Sequence, residues 1–385
     1  MKKNYTLLLL TIFSIGFAQI PSGYYDNAVG TGYGLKSQLK TIITNGHVDR
    51  LYGSGTGTTN NGLWSGYGTT DRDNGIGYEN DNTIVDIYSE NPTGVDPYNF
   101  NFSTASGSNR GQCGNYTSEG DCYNREHLIP QSYFGSTGIM RNDIQHVYPT
   151  DGKVNAIHSD YAFGKVGLVA STISLNGSKL GNALNSGYSA GFSGTVFEPI
   201  DEFKGDVARV YFYFATRYED QMPTFYTSFT TPDCRVMFDG TSNQVFSQTF
   251  LNILLTWNSQ DPLSTKEVVR NNAAYNHQGN RNPFIDNNSY VTSIWGAAPL
   301  FAEDFDYLAK TIVYPNPTND HRITIDSSAE IDDIQLININ GQIMMKIKKP
   351  VFDSNSFSID NLNQGFYFLK LSSNNQSVTK KVIVN

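Results

Sequence analysis

Charge is scarce in this chain. Only 16% of its 385 residues are Asp, Glu, Lys or Arg, against roughly a quarter in ordinary soluble proteins. Positive charge is scarcer still: 27 Lys and Arg against 36 Asp and Glu give a formal net charge of −9. That balance argues against a histone-like or generally polycationic nucleic-acid binder, though it leaves room for one local phosphate site. Cysteine is nearly absent, with three residues, none at the paired spacing of a zinc site. Beyond the N-terminus no apolar run reaches about 18 residues, so no stable membrane span is expected. What the chain has instead is Gly (35), Tyr (24) and Phe (23). Low charge with abundant aromatics argues against intrinsic disorder, and the length suits two or three domains.

The missing positive charge is missing from one place. Residues 19–310 hold 18 basic and 29 acidic residues, a net −11, whereas residues 311–385 hold seven of each. Residues 1–18 read as a secretory signal peptide. Lys2 and Lys3 form the positive start, Leu7 to Phe17 the apolar stretch, and Gly16 and Ala18 the small residues before the cut. A buried strand or a membrane anchor is the alternative. Export implies an oxidising compartment, where disulfides persist. Cys113 and Cys122 bracket a turn and are expected to be bridged, leaving Cys234 as a free thiol.

Along the central segment, Gly53 to Gly68 reads as a surface loop, and nothing in residues 53–76 suggests a role. Leu35, Leu39, Ile42 and Ile43 have helical spacing. Thr83 to Ser89 alternates as a strand. Residues 205–220 (GDVARVYFYFATRYED) are the clearest helix, with a wide apolar face and Asp206 in the first turn. Phe246 to Trp257 and Thr265 to His277 read as two more helices, broken at Asp261-Pro262. Near residue 311 the composition changes: IVYPNPTND (Ile312 to Asp320) reads as turn, and after it, from Arg322, come short alternating segments about ten residues apart, with an Asn340-Gly341 hairpin signal. This predicts an antiparallel, immunoglobulin-like sandwich.

The polar residues with chemical potential gather between residues 122 and 165. Arg125, Glu126 and His127 are consecutive, and His146, His158, Asp143, Asp151 and Asn155 follow. Glu126 and His127 fall on opposite faces of a regular strand, but twist at a strand end can aim both at one site. A carboxylate and an amide oxygen suit a hard cation such as Mg²⁺. A neutral imidazole beside it can take a proton from water, as phosphodiester hydrolysis requires. Gln145 to Tyr148 reads as a strand. Thr150 or Asp151 can cap a helix from Gly152 that carries Asn155 in its first turns, so the unit is strand, loop, strand, helix. Zinc is a rival, but the histidines lie 19 and 12 residues apart, without a helical pair.

Two resemblances sharpen this reading. NREHLIP (Asn124 to Pro130), DIQHVYPTDGKVN (Asp143 to Asn155) and GNRNPFID (Gly279 to Asp286) resemble, in order, the bacterial endonuclease I family. The likeness runs over about residues 22–296. It implies an α+β nuclease domain with a ββα-metal (His-Me finger) core and Mg²⁺-dependent, largely sequence-nonspecific cleavage of DNA, and of RNA, to 5′-phosphates, with Mn²⁺ or Ca²⁺ as alternative ions. On this resemblance His127 is the general base and Glu126 and Asn155 are the metal ligands. His146 and Asp143 orient the site or its waters, and Arg281 is a phosphate or structural contact. Arg125 is expected as a buried ion-pair partner. Arg141, two residues before Asp143, is a candidate for holding the cleaved phosphate. Gln145 and His158 stand where the family commonly has His and Arg, which weakens any direct role for them. The tail, with YPNP (Tyr314 to Pro317), ININGQ (Ile337 to Gln342) and LNQGFYFLKL (Leu362 to Leu371), resembles a type IX secretion C-terminal sorting domain.

The expected organisation is therefore a signal peptide at 1–18, a nuclease domain at 19–300, a linker at 301–311 and a sorting domain at 312–385. The protein is expected to be a monomer, exported by the type IX machinery and then released or held at the outer surface. A nonenzymatic surface adhesin with a structural polar cluster is the alternative from another class. Glycoside hydrolysis would need two carboxylates paired about 5–10 Å apart, and the sequence offers no such pairing.

Overall fold

The computed structural model describes residues 20–53, 62–74, 78–102, 110–113, 115–136, 138–228, 236–297, 311–327, 329–353, 355–373 and 376–385. The expected signal peptide, Cys234 and most of the expected linker lie outside them. Residues up to 297 form a mixed α+β domain, and residues from 311 an all-β region.

The domain begins with α1 (Gly32–Thr44), which buries Leu35, Leu39 and Ile43 as the spacing predicts. Where a surface loop is expected, α2 (Leu63–Thr70) forms and buries Leu63, Trp64 and Tyr67. Its Gly and Thr content hides the apolar repeat, and two of its glycines are there for contact. A Cβ at Gly66 would sit 2.5 Å from Ile144, and one at Gly68 2.7 Å from Phe102. Thr83 to Ser89 is not a strand either. Ile84 makes isolated bridges to Arg72 and Phe100, after which the chain turns. Asp86 anchors that turn, its carboxylate accepting from Tyr88 N and Ser89 Oγ at 2.9 Å each. Those local bonds outcompete a sheet ladder.

The centre of the domain is an antiparallel pair, β1 (Tyr123–His127) and β2 (Val147–Asp151), with Glu126 opposite Tyr148 and His127 opposite Val147. A helical turn, α3 (Ile139–Asn142), lies in the connection. The chain passes directly from β2 into α4 (Gly152–His158), capped by Asp151, whose carboxylate accepts from Val154 N at 2.8 Å. The Cys113–Cys122 disulfide is formed beside this unit.

A second sheet follows, built from β3 (Ala162–Phe163), β4 (Val166–Ile173), β5 (Lys179–Ala183) and β6 (Thr195–Glu198) in the order β3-β6-β5-β4. The next helix, α5 (Lys204–Arg217), is buried on all sides rather than on one face. Its cations are accommodated by ion pairs, because an unpaired buried charge is too costly. Arg209 forks onto Glu267 (2.7 Å from Nη2 to Oε2), and Lys204 meets Glu198 at 2.5 Å. After α6 (Met222–Ser228) come α7 (Gln248–Gln260) and α8 (Thr265–Gln278). A reciprocal Ser264–Glu267 capping box starts α8, and Gly279 ends it at φ +82°. The short α9 (Pro283–Asp286) and α10 (Ser289–Trp295) close the domain.

The C-terminal region holds β7 (Ile312–Tyr314), β8 (Ile323–Asp326), β9 (Asp333–Asn338), β10 (Ile343–Lys348), β11 (Ser356–Ile359), β12 (Gly365–Ser373) and β13 (Gln376–Val384). They form two antiparallel sheets, β10-β9-β12-β13 and β11-β8-β7. Ile323, Ile325, Leu336, Leu369 and Val382 from both sheets share one core. β7 occupies a stretch that reads as turn from its Pro and Asn content. No helix among the described residues is long and apolar enough to cross a membrane.

Candidate active site

Glu126 and His127 end β1, and Asn155 sits on α4. All three line one open cleft of about 390 Å³, together with Arg125, Gln131, Ser132 and Asp160. The β1–β2–α4 connection brings them together, since α4 folds back over the end of β1.

Glu126 is 4% exposed. Its Oε1 accepts from the Tyr88 hydroxyl at 2.8 Å and contacts Nδ1 of the fully buried His158. His158 Nε2 lies 3.0 Å from the Tyr161 carbonyl. A carbonyl only accepts, so Nε2 carries a proton. The described partners of Glu126 are thus all on Oε1, and Oε2 is the oxygen left for the cleft. Asn155 Nδ2 points to the Arg125 carbonyl at 3.4 Å, which leaves Oδ1 as its free acceptor. A carboxylate oxygen beside an amide oxygen is a fit for a hard divalent cation.

His127 is 7% exposed, and its Nε2 lies 3.1 Å from the Arg141 carbonyl. That contact assigns the proton to Nε2 and leaves the Nδ1 lone pair as the acceptor. The ring stacks on Tyr52 at 5.9 Å and meets Phe134 edge-on. Burial, then the neighbouring His146, Arg125 and Arg141, push its pKa down to about 3, so it stays neutral at ordinary pH.

Tyr52 is clamped between two guanidiniums, Arg125 at 3.5 Å and Arg141 at 3.7 Å from its ring centre. Arg125 also donates from Nη1 to the Tyr52 and Gly53 carbonyls. Its partners are carbonyls and rings, which corrects the expected ion pair.

Three expected residues lie elsewhere. Arg281 is 1% exposed and bound to Asp286 through Nε (2.6 Å) and Nη2 (2.7 Å), with Asn272 also accepting from Nη2. A side chain so enclosed cannot reach a phosphate, so its phosphate-contact role is replaced by a structural one. His146 is fully buried behind His127, 5.6 Å away ring to ring, with Nε2 on the Met140 carbonyl. Asp143 is also fully buried. It accepts from Tyr213, Tyr218 and Gln278; burial raises its carboxyl, but His47, His146 and then the bonds from Gln278 and Tyr213 hold it below the usual range. Both support the floor of the site rather than its opening. Gln145 bonds Asn271 and the Asn280 carbonyl, away from the cleft.

One residue, Tyr88, is missed by sequence reasoning, as is the part played by a second, His158. Tyr88 lies 38 positions before Glu126 in a segment that reads as a strand, and no local signal marks it. His158 carries a signal, since it belongs to the histidine cluster, but it acts on Glu126 from behind rather than in the cleft.

The fold and site are those of a nuclease, a phosphodiester hydrolase that is secreted or attached to the cell surface. A family model described as Endonuclease I matches residues 31–289, and one described as a Secretion system C-terminal sorting domain matches residues 312–385. The chain is 32% identical over 278 residues to an extracellular ribonuclease of Bacillus amyloliquefaciens, covering 71% of this chain and 78% of that protein. Its identity to an extracellular ribonuclease of Bacillus subtilis (strain 168) is 31% over the same coverage. The chain belongs to the endonuclease I family, whose nucleases are generally dependent on divalent metal.

Proposed function

We propose that the protein is a largely sequence-nonspecific endonuclease that hydrolyses DNA and RNA to 5′-phosphate products, with Mg²⁺ as its ion and a ββα-metal core formed by β1, β2 and α4. The observation that carries this reading is the convergence of Glu126, His127 and Asn155 on one cleft, with His127 Nε2 tied to the Arg141 carbonyl. The names of the two Bacillus relatives support RNA beside DNA.

Glu126 and Asn155 would hold the cation, which supplies positive charge to the scissile phosphate and the leaving oxygen. His127 orients a water at Nδ1 and takes its proton as the water oxygen attacks phosphorus. The P–O3′ bond breaks, the departing 3′ oxygen takes a proton from solvent water to leave as a hydroxyl, His127 returns its proton to solvent, and the phosphate stays on the 5′ side. The low basicity of His127 in the free protein comes partly from Arg125 and Arg141. A bound phosphate offsets those charges and raises the basicity of Nδ1 when it is needed. Arg141 is the candidate for holding the cleaved phosphate.

The domain limits we infer are a cleaved signal at 1–18, the nuclease to residue 300, and a linker to residue 311 before an immunoglobulin-like sorting sandwich. A monomer suffices for this site. Incubating mature protein with plasmid, linear duplex and RNA, with Mg²⁺ or with EDTA, tests the reading. Cleavage only with metal is expected, and His127→Ala should lose about 10²–10⁴-fold in rate with an unchanged circular dichroism spectrum. Full activity in EDTA, or a wild-type rate for His127→Ala, would refute it.

A further inference from the structure

We propose that Glu79, Glu90 and Asp96 form a calcium site, separate from the catalytic cleft, that locks the turn carrying Tyr88. The three side chains each place a carboxylate oxygen within 4.8 Å of the other two. Oxygens on opposite sides of a Ca²⁺ ion, at about 2.4 Å each, are separated by about that distance.

Clustered acids alone are common on surfaces. Here the middle member is not on the surface. Glu90 is 2% exposed, and its Oε1 has no hydrogen-bond partner among the described residues. A buried carboxylate is normally paired or bound to metal. Yet burial, Asp96, Glu79 and Asp73 all act in one direction on this one, raising its carboxyl to about 10. Asp96 is raised to about 6, by burial and then by Glu79, Asp81 and Asp73. Lys266 is committed to Asp73 at 2.5 Å.

The backbone holds the set in place. Glu90 N donates to the Asp86 carbonyl at 2.7 Å, and Asn176 Nδ2 donates to the Glu90 carbonyl at 3.3 Å. Asp96 Oδ1 accepts from Asn91 N at 2.6 Å, leaving Oδ2 free. A cation is the complement this group lacks, and oxygen-only ligands of flexible geometry favour Ca²⁺ over the smaller Mg²⁺. The compartment agrees: extracellular modules bind Ca²⁺ at about 10⁻⁴–10⁻³ M, and this protein is secreted or surface-attached. The consequence reaches the cleft through one short turn. Glu90 is two residues from Tyr88, whose hydroxyl holds Glu126 Oε1.

The test uses full-length mature protein with Glu126→Gln, which removes the proposed catalytic metal ligand. Stripped of metal and then given Ca²⁺ at about 100 times its Kd, it should gain on the order of 5 °C in Tm. Mg²⁺ at the same concentration should do less. Adding Glu79→Gln and Asp96→Asn should abolish the gain; both side chains are at least partly exposed, so folding should survive. Tb³⁺ should show luminescence sensitised by tyrosine, Tyr78 being adjacent to Glu79, and Ca²⁺ should displace it. Glu90→Gln should match or exceed the parent in Tm without Ca²⁺ and fall below it with Ca²⁺. In the Glu126-containing enzyme, Glu79→Gln should keep its Mg²⁺-dependent rate at low temperature. If Ca²⁺ leaves Tm unchanged, the acids share protons instead and the proposal fails. It fails equally if the gain survives loss of Glu79 and Asp96.

Discussion

Tyr88→Phe removes one oxygen atom, and its effect can be worked from the contacts. The side chain is fully buried, and its hydroxyl lies 2.8 Å from Glu126 Oε1 and 3.2 Å from His158 Nδ1. Burial, with Glu126 next, raises its pKa far above the ordinary tyrosine value, so it remains a donor at any working pH. A hydrogen bond to a charged acceptor is worth about 1.5–3 kcal/mol net. At about 2–4 °C per kcal/mol in a domain of this size, Tm should fall by about 3–12 °C. The ring stays and keeps its packing against Phe197 at 5.0 Å, so no cavity adds to the loss. His158 then holds Glu126 Oε1 alone, and the carboxylate is freer to turn. Partners that orient a metal ligand from behind are worth about 10–100-fold in metal affinity or activity. Initial rates on plasmid measured against Mg²⁺ concentration should therefore show a half-saturating Mg²⁺ raised at least tenfold, with a smaller change in KM for DNA. A variant with wild-type stability and a wild-type Mg²⁺ curve would refute the claim that this hydroxyl positions Glu126.

Arg281→Met leaves Asp286 buried without its cation and should cost about 3–5 kcal/mol in urea unfolding, while the folded fraction keeps its half-saturating Mg²⁺. A raised KM at full stability would instead return Arg281 to substrate contact. His277 has its pKa lowered to about 4 by burial and then Arg50. The native state thus resists a proton that the unfolded chain takes below about pH 6.5, and the stability this confers is complete above pH 6.5 and lost as pH falls through about 4. His277→Phe should flatten the fall in unfolding free energy between pH 7 and 4 by about 2 kcal/mol, allowing for the ring's partial solvent screening; an unchanged slope would rule His277 out as its source. Rising salt should weaken DNA binding with a log–log slope of about −2, set by Arg125 and Arg141, and a slope near −10 would mean a broad cationic surface.

Much of this was legible because local chemistry and fold agree. The Asp151 cap, the apolar repeat of α1 and the Asp261-Pro262 break are short-range signals, and the elements begin and end where they put them. The failures have a common cause as well. In α2 the signal is a close approach between Gly66 and Ile144, 78 residues apart, and a glycine in isolation reads as a loop. Thr83 to Ser89 alternates in polarity, but side-chain bonds to Asp86 decide its backbone. Around the proposed catalytic residues, NREH and the following Asp-to-Asn stretch announce Glu126, His127 and Asn155. What stands behind them is set by tertiary contact. Tyr88 and His158 reach Glu126 from separate segments, and Arg281 is drawn to Asp286 five residues on instead of to a substrate.

The shortage of positive charge is resolved by how the cations are used. Six buried or nearly buried cations of the nuclease domain are tied to carboxylates inside it: Lys36 to Glu219, Lys204 to Glu198, Arg209 to Glu267, Lys266 to Asp73, Arg270 to Asp71 and Arg281 to Asp286. Arg125 and Arg141 are used differently, stacked on Tyr52 and partnered by rings and carbonyls beside His127. A carboxylate would have neutralised them, whereas an aromatic face orients a guanidinium and leaves its charge for an incoming anion. A net −11 segment can therefore act on a polyanion: its field repels nucleic acid at long range, within the roughly 8–10 Å that salt allows, and attraction is confined to the few ångströms around the cleft. Such a surface grips one phosphate at a time and lets go of the product, as the proposed hydrolysis of a long polymer without sequence preference requires.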